Sequence, residues 1–276
     1  MLNTLDKSLS PASIAVLGAS SREGTLSWAL VNNLVKYGYK GMIFPVNPKA
    51  ASIHSIKSYP TVNHIKDDVD LAVIMVPKDL VLGAIDDCGK KKIKAIMVIT
   101  AGFKETGKEG AKTETELIAR IKKYKMRLIG PNCMGLINTN PNVKMNCSYV
   151  PRTPIAGGIG FVPQSRALGA AVLKTVQQND IGLAQFVSIG NKADVSGNTI
   201  LEYWWHNDDI KVITMYLESF GDPRKFMELT RSITRTKPVI AIKSARTSAG
   251  MRAASSHTGA LAASDKVVDA FLEQSG

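Results

Sequence analysis

Cysteine is scarce in this chain: three residues, Cys88, Cys133 and Cys147, none of them in a CxxC pair. An odd, widely spaced set argues against a disulfide framework and fits a reducing compartment, so a cytoplasmic location is expected. Aromatic residues make up only 6% of the chain, too few to suggest a stacking surface for single-stranded nucleic acid. No run approaches the ~18 consecutive apolar residues that would span a membrane, and the polar segment Met1 to Pro11 lacks the apolar core of a signal peptide. Acidic residues are outnumbered, 23 against 35 basic ones, for a formal charge of +12. Such a balance favours anionic partners. The lysines are scattered apart from short clusters at 90–92 and 122–123, and no zinc-finger or RNP-type signature is present. Phosphorylated small ligands therefore fit the charge, and neither nucleic acid nor a metal site is expected.

What is present is a repeated alternation of short apolar runs with longer amphipathic ones. The runs at 13–17, 42–46, 71–76, 95–100 and 127–129 are rich in Val and Ile without polar alternation, as buried parallel strands are. Helical stretches lie between them at 26–37, 80–90 and 108–124. A passage rich in Pro, Asn and Gly, from Pro131 to Pro154, reads as punctuation at a domain boundary. The alternation then restarts, with strands expected at 158–162, 183–189, 212–217 and 239–243 and helices at 166–178, 199–205, 224–233 and 258–274. The pattern predicts an α/β protein of two parallel-sheet domains, at about 1–150 and 151–276; 22 glycines suit its many tight turns.

The first strand ends in Gly18-Ala19-Ser20-Ser21-Arg22-Glu23-Gly24 ahead of a helix. A glycine there lets backbone approach a phosphate, and the helix start offers free N–H groups; an ordinary βα turn has the same appearance. NAD-binding folds place an acid about twenty residues on, to hold the ribose. Here the second strand ends Phe44-Pro45-Val46-Asn47-Pro48-Lys49, with a lysine and no acid. This disfavours a nicotinamide-linked oxidoreductase. A cation suits an additional phosphate such as the 3′-phosphate of coenzyme A, unless Lys49 is merely a surface lysine. Val76-Pro77, Thr100-Ala101-Gly102-Phe103 and Gly130-Pro131-Asn132-Cys133 end three further strands at the same ligand-binding edge.

In the second half, His257 lies in Ser255-Ser256-His257-Thr258-Gly259-Ala260-Leu261, among small residues and just ahead of the expected helix. Neutral imidazole attacks phosphoryl groups, and it needs a carboxylate on its other nitrogen to fix the tautomer. Glu218, at the end of the 212–217 strand, is a candidate; a capping or solvated carboxylate is the alternative. His54, His64 and His206 read as surface residues.

The motifs GAS…G, PVNPK, VP, TAGF and GPNCMG, in this order, resemble the CoA-binding domain of the succinyl-CoA synthetase alpha subunit and of ADP-forming acetyl-CoA synthetases. SIGNKADV, YLESFGDPRKF and ASSHTGALAASD resemble the later motifs of the same nucleoside-diphosphate-forming acyl-CoA synthetase superfamily. The resemblance implies an N-terminal Rossmann-like CoA-binding domain followed by a flavodoxin-like domain of the succinyl-CoA-synthetase type. It implies that Gly18, Ser20, Lys49, Val76, Pro77, Thr100 and Asn132 line the CoA site. His257 becomes the phosphorylated residue, Glu218 its orienting carboxylate, and Ser165, Arg166, Gly190, Asn191 and Ser256 the phosphate cradle. The implied reaction is reversible: acyl-CoA and phosphate give acyl phosphate and CoA, the phosphoryl group passes to His257, and then to ADP. That last step needs an ATP-grasp domain or beta subunit with Mg²⁺, which this sequence does not contain, so a partner or fused domain and an oligomer are expected. One departure stands out. The family turn Ser-Gln-Ser-Gly-Ala-Leu reads Pro163-Gln164-Ser165-Arg166-Ala167-Leu168 here, and Arg166 either adds a charge-assisted phosphate contact or blocks the turn. The second outcome would suit a CoA-binding regulatory or degenerate module, such as those attached to protein acetyltransferases.

Overall fold

The computed structural model describes residues 3–244 and 265–276. After a short helix α1 (Asn3–Leu9), the first domain runs β1 (Ser13–Leu17), α2 (Leu26–Tyr37), β2 (Met42–Val46), a two-rung hairpin β3 (Ser52–Ile53) and β4 (Ile56–Lys57), β5 (Leu71–Ile74), α3 (Lys78–Lys90), β6 (Ala95–Val98), α4 (Lys108–Lys123) and β7 (Arg127–Ile129). Its five long strands form one parallel sheet in the order β2-β1-β5-β6-β7. Ile14 and Val16, Leu71 and Val73, and Ala95 and Met97 enter one core, while Ala15 and Leu17, Ala72 and Ile74, and Ile96 and Val98 enter a second on the opposite face. Period-two alternation thus buries both faces, which is why these strands read as unbroken apolar runs. Connections leave β1 in opposite directions, so the order reverses between β1 and β5, the place where such sheets bind ligands.

The second sheet holds β8 (Gly135–Asn138), β9 (Met145–Ser148), β10 (Ala156–Pro163), β11 (Leu183–Val187), β12 (Val212–Leu217) and β13 (Val239–Lys243), in the order β13-β12-β10-β11-β8-β9. Four strands are parallel, with β8 and β9 added antiparallel at one end. Helices α5 (Arg166–Gln178), α6 (Gly197–Trp205), α7 (Pro223–Ile233) and α8 (Asp265–Gln274) complete the described chain. Ser165, Ser196 and Asp222 cap α5, α6 and α7, each accepting from an N–H in the first turn. Here the order reverses between β10 and β12.

Strands β8 and β9 arise from the passage read as boundary punctuation, and they join the second sheet although they precede residue 150. Their polar residues disguise burial. Asn138 Nδ2 donates to Leu9 O at 2.8 Å, and Ser148 Oγ donates to Asn146 Oδ1 at 2.7 Å. Asn33 of α2 donates to Ser148 O and Val150 O, both at 2.8 Å. These bonds satisfy groups that would otherwise be costly to bury, and those of Asn138 and Asn33 stitch the two domains together. One apolar core also runs through both domains, from Ile14 and Leu30 to Leu136, Cys147, Val187 and Trp204. Among the described residues, no helix is long and apolar enough to cross a membrane.

The three cysteines are buried and unpaired. Burial pushes the thiols of Cys88 and Cys133 up to about 12 and that of Cys147 up as well. The thiolate is the reactive form, so native protein at pH 8 is expected to leave a thiol-specific chromogenic reagent unconsumed, with three equivalents taken up after denaturation. Fast native labelling of any of them would contradict this packing.

Candidate active site

The C-terminal ends of the first sheet are tied into one edge. Gly18 adopts φ +85°, and a Cβ there would lie 2.9 Å from the backbone of Met75 and Val76. The glycine after β1 is thus demanded by the turn after β5, before any ligand is considered. Asn47 Nδ2 donates to Ala19 O at 2.7 Å, and its Oδ1 accepts from Lys49 N at 2.8 Å. Ser20 Oγ accepts from Arg22 N at 3.0 Å, and Thr25 caps α2. Thr100 Oγ1 donates to Val76 O at 2.7 Å, and Thr100 O accepts from Asn132 N at 3.1 Å. Pro77 precedes α3 without needing to donate. The seven residues expected to line a CoA site therefore fall on one edge, at the ends of five neighbouring strands. Lys49 is exposed there and, among the described residues, has no ion-pair partner. Cys133 of the Gly-Pro-Asn-Cys turn is structural in this arrangement, its Sγ donating to Val98 O at 3.3 Å.

At the second sheet, Gln164 occupies the reversal point between β10 and β12. Its Oε1 accepts from the N–H groups of Glu218 and Ser219, at 3.0 and 3.3 Å. This aligns the end of β12 with the start of α5. Glu218 is half-buried, and the cap of the following helix is Asp222, so Glu218 is no helix cap. Ser165 is the cap of α5, accepting from Leu168 N at 3.5 Å.

The two edges meet at Gly190 and Asn191, in the turn after β11. A Cβ on Gly190 would sit 2.2 Å from Pro131 O, so only glycine lets the turns after β7 and β11 touch. Asn191 N donates to Pro131 O at 2.9 Å. Its Nδ2 donates to Glu105 Oε2 at 2.6 Å and to Glu114 Oε2 at 2.8 Å, while Oδ1 accepts from Asn132 Nδ2 at 3.3 Å. Lys104 Nζ reaches Asn191 O and lies 3.4 Å from Glu114. The side-chain donors of Asn191 both go to carboxylates here, so this residue, expected to contact phosphate, joins the two domains. Burial alone would raise Glu105, but hydrogen bonds from Asn191, Gly102 and Phe103 outweigh it and hold the carboxyl below its ordinary range.

Arg166 opens α5 in a cleft of about 340 Å³ whose other lining residues are Leu26, Ser27, Met75, Ile99, Thr100 and Ala101, all from the first domain. The residue is exposed, and its charge opposes the rise that burial imposes on the Tyr149 hydroxyl pKa. Among the described residues it has no ion-pair partner, and residues 245–264 contain no Asp or Glu. A larger hollow of about 390 Å³, lined by Thr139, Gly157 and Lys211 among others, lies where β10 begins. That is the opposite end from the strand termini that bind ligands.

His257 and Ser256 lie outside the described residues. His64 and His206 are exposed as expected, whereas His54 is half-buried against Trp28, with ring centroids 4.9 Å apart. The sequence reading passed over Lys104, Glu105, Glu114, Lys192 and Lys243. Lys192 stands inside the SIGNKADV motif, and its left-handed φ of +49° sets it apart only in three dimensions.

Comparisons with known proteins agree with this architecture. A CoA binding domain family matches residues 12–139, and a succinyl-CoA ligase like flavodoxin domain family matches residues 156–276. The chain is 40% identical over 277 residues to the alpha subunit of ADP-forming acetate–CoA ligase I of Pyrococcus furiosus, covering 99% of this chain and 60% of that protein. It is 42% identical over 270 residues to the ADP-forming 4-hydroxybutyrate–CoA ligase of Nitrosopumilus maritimus, covering 97% of this chain and 38% of that one. Among solved structures, dinucleotide forming acetyl-coenzyme A synthetase 1 of Ca. Korarchaeum cryptofilum, in complex with phosphate and ADP, superposes with a TM-score of 0.93 at 40% identity. That match covers 98% of this chain and 58% of the other. The chain thus spans 60% or less of these relatives. With two consecutive family domains and this extent of identity, the chain belongs to the nucleoside-diphosphate-forming acyl-CoA synthetase superfamily and carries its CoA-binding and succinyl-CoA-ligase-like domains.

Proposed function

We propose that this chain is the alpha portion of an ADP-forming acid–CoA ligase. The observation that carries the reading is the convergence of two sheet edges: the linked turns of a CoA-type domain face Arg166 at the α5 start of a ligase-type domain across one cleft, and Gln164 beside it holds the backbone N–H groups of Glu218 and Ser219. CoA lies along Gly18, Ser20, Val76, Pro77, Thr100 and Asn132, with Lys49 available to its 3′-phosphate. A phosphate oxygen attacks the thioester carbonyl and the CoA thiolate leaves, giving acyl phosphate. An imidazole nitrogen of His257 then attacks phosphorus, and the P–O electrons depart with the carboxylate. The N–H groups at the start of α5, beside Ser165, stabilise the phosphoryl oxygens. Arg166 adds a charge-assisted contact to an anionic group in the cleft. ADP and Mg²⁺ act through an ATP-grasp partner subunit or fused domain, and the working assembly is an oligomer.

The test is to incubate the chain with acyl-CoA, phosphate and Mg²⁺. A phosphoryl adduct of about 80 Da on His257 is expected, absent from His257→Ala although that variant still binds CoA. Labelling of the variant would move the phosphorylated residue elsewhere. CoA binding without any adduct on the wild-type chain would favour the regulatory-module reading, with Arg166 closing the turn.

A further inference from the structure

Lys192 makes an unusual crossing. It follows the Gly190-Asn191 joint at the end of β11 with a left-handed backbone, φ +49°, a conformation that non-glycine residues keep when their surroundings impose it. Its side chain ends at the turn after β12, where Nζ donates to Ser219 O at 2.8 Å and to Ser219 Oγ at 2.5 Å. Strand β10 lies between β11 and β12 in the sheet. The lysine therefore bridges the end of β10, where Gln164 and Ser165 open α5. Ser219 adjoins Glu218, and Gln164 holds the N–H groups of both. An ammonium has three donors; two go to Ser219, and among the described residues none goes to a carboxylate.

We infer that Lys192 is a positioning residue for phosphoryl transfer: by clamping Ser219 across the start of α5, it fixes Glu218 and sets a positive charge beside the path of the phosphoryl group. The inference rests on the function proposed above. In that step a P–O bond breaks with its electrons going to the departing carboxylate, a P–N bond forms at the imidazole, and negative charge is spread over the phosphoryl oxygens. A nearby cation stabilises that charge without exchanging a proton.

The charges around Lys192 decide its pH range. Burial is the largest influence lowering its pKa, Lys104 and Lys243 lower it further, Glu218 opposes them, and the outcome is about 8. Glu105 and Glu114 approach from the first domain through Asn191. Residues 245–264, which include Arg246, Arg252 and His257, lie outside the described structure. Lys192 is charged below about pH 8 and loses its charge as pH rises through that value.

The experiment measures the single-turnover rate of protein labelling from acetyl-CoA and ³²P-phosphate with Mg²⁺, between about pH 6.5 and 10. A parallel arm uses 4-hydroxybutyryl-CoA. Wild type, Lys192→Met and Lys192→Arg are compared, with melting temperature and CoA affinity as controls. Lys192→Met is expected to slow labelling roughly 100-fold while CoA affinity stays within about twofold, because the CoA edge belongs to the other sheet. Wild-type labelling is expected to fall above about pH 8. Lys192→Arg, charged throughout the range, is expected to retain most of the rate and lose that alkaline fall. Wild-type rates in a folded Lys192→Met protein, or an alkaline fall unchanged in Lys192→Arg, would overturn the inference and leave the ligase reading standing. If Lys192→Met fails to fold, the Lys192→Arg pH profile decides alone. A wild-type chain that takes no label in either arm refutes the ligase reading and this inference with it.

Discussion

Alanine at Gly18 is expected to weaken CoA binding by an order of magnitude or more and to lower the melting temperature markedly, while alanine at Gly24 lowers the melting temperature less and leaves CoA binding nearly unchanged. The two glycines have nearly the same backbone, φ +85° and +84°, but different surroundings. An added Cβ at Gly18 meets the backbone of Met75 and Val76 at 2.9 Å, whereas at Gly24 nothing lies within 4 Å. Both variants carry the left-handed cost of a β-carbon, about 1–2 kcal/mol. Only Gly18→Ala also pushes apart the turns after β1 and β5, an overpacking effect of roughly 1–3 kcal/mol more. That displacement falls at the sheet's reversal point, where the proposed CoA site lies. Isothermal titration with CoA and thermal melts of both variants give the comparison. Equal losses in the two would assign the effect to backbone strain and remove the close approach from the argument.

Asn191→Leu is expected to destabilise the chain by about 3 kcal/mol or more, since hydrogen bonds to charged groups contribute roughly 1.5–3 kcal/mol each and this amide serves two carboxylates at once. Glu114 is buried, so no water replaces the lost donor. Asn191→Asp tests the same joint by charge. It places a third carboxylate between Glu105 and Glu114, and mutual repulsion holds protons on the folded state that the unfolded chain releases. Its stability should therefore rise as pH falls from about 7 to 5. In wild type the sign is opposite. The depressed carboxyl of Glu105 contributes stability that is complete above the ordinary glutamate range and is lost as pH falls through that range and below it. Denaturant melts across this window separate the cases, and an Asn191→Asp profile parallel to wild type would mean that the amide does not bridge the two acids.

The joint has a consequence for how the two domains work. Their apolar core is continuous, and the polar contacts at Asn33, Asn138 and Asn191 are all made between segments far apart in sequence. Domains held by so large and apolar an interface are not expected to swing freely. The cleft between Thr100 and Arg166 is accordingly a built feature, with its cation already in place.

Local pattern alone determined the secondary structure that frames the site: β1, α2, β2, β7, β12 and β13 begin and end where apolar periodicity and capping chemistry place them. The motifs at Gly18, Lys49, Thr100 and Asn132, and the turn around Gln164, were legible because strand-end turns are short and their chemistry is written in consecutive residues. Tertiary structure alone decided that β8 and β9 complete the second sheet, because buried asparagine and serine look like loop residues until their distant partners are known. It also showed that Gly18 answers to Met75 and that the amide of Asn191 joins two domains through Glu105 and Glu114. The grouping of Lys192 with Lys104, Lys243 and Glu218 was equally hidden, since their electrostatics depend on through-space proximity and burial, and neither is recorded in the order of residues along a chain.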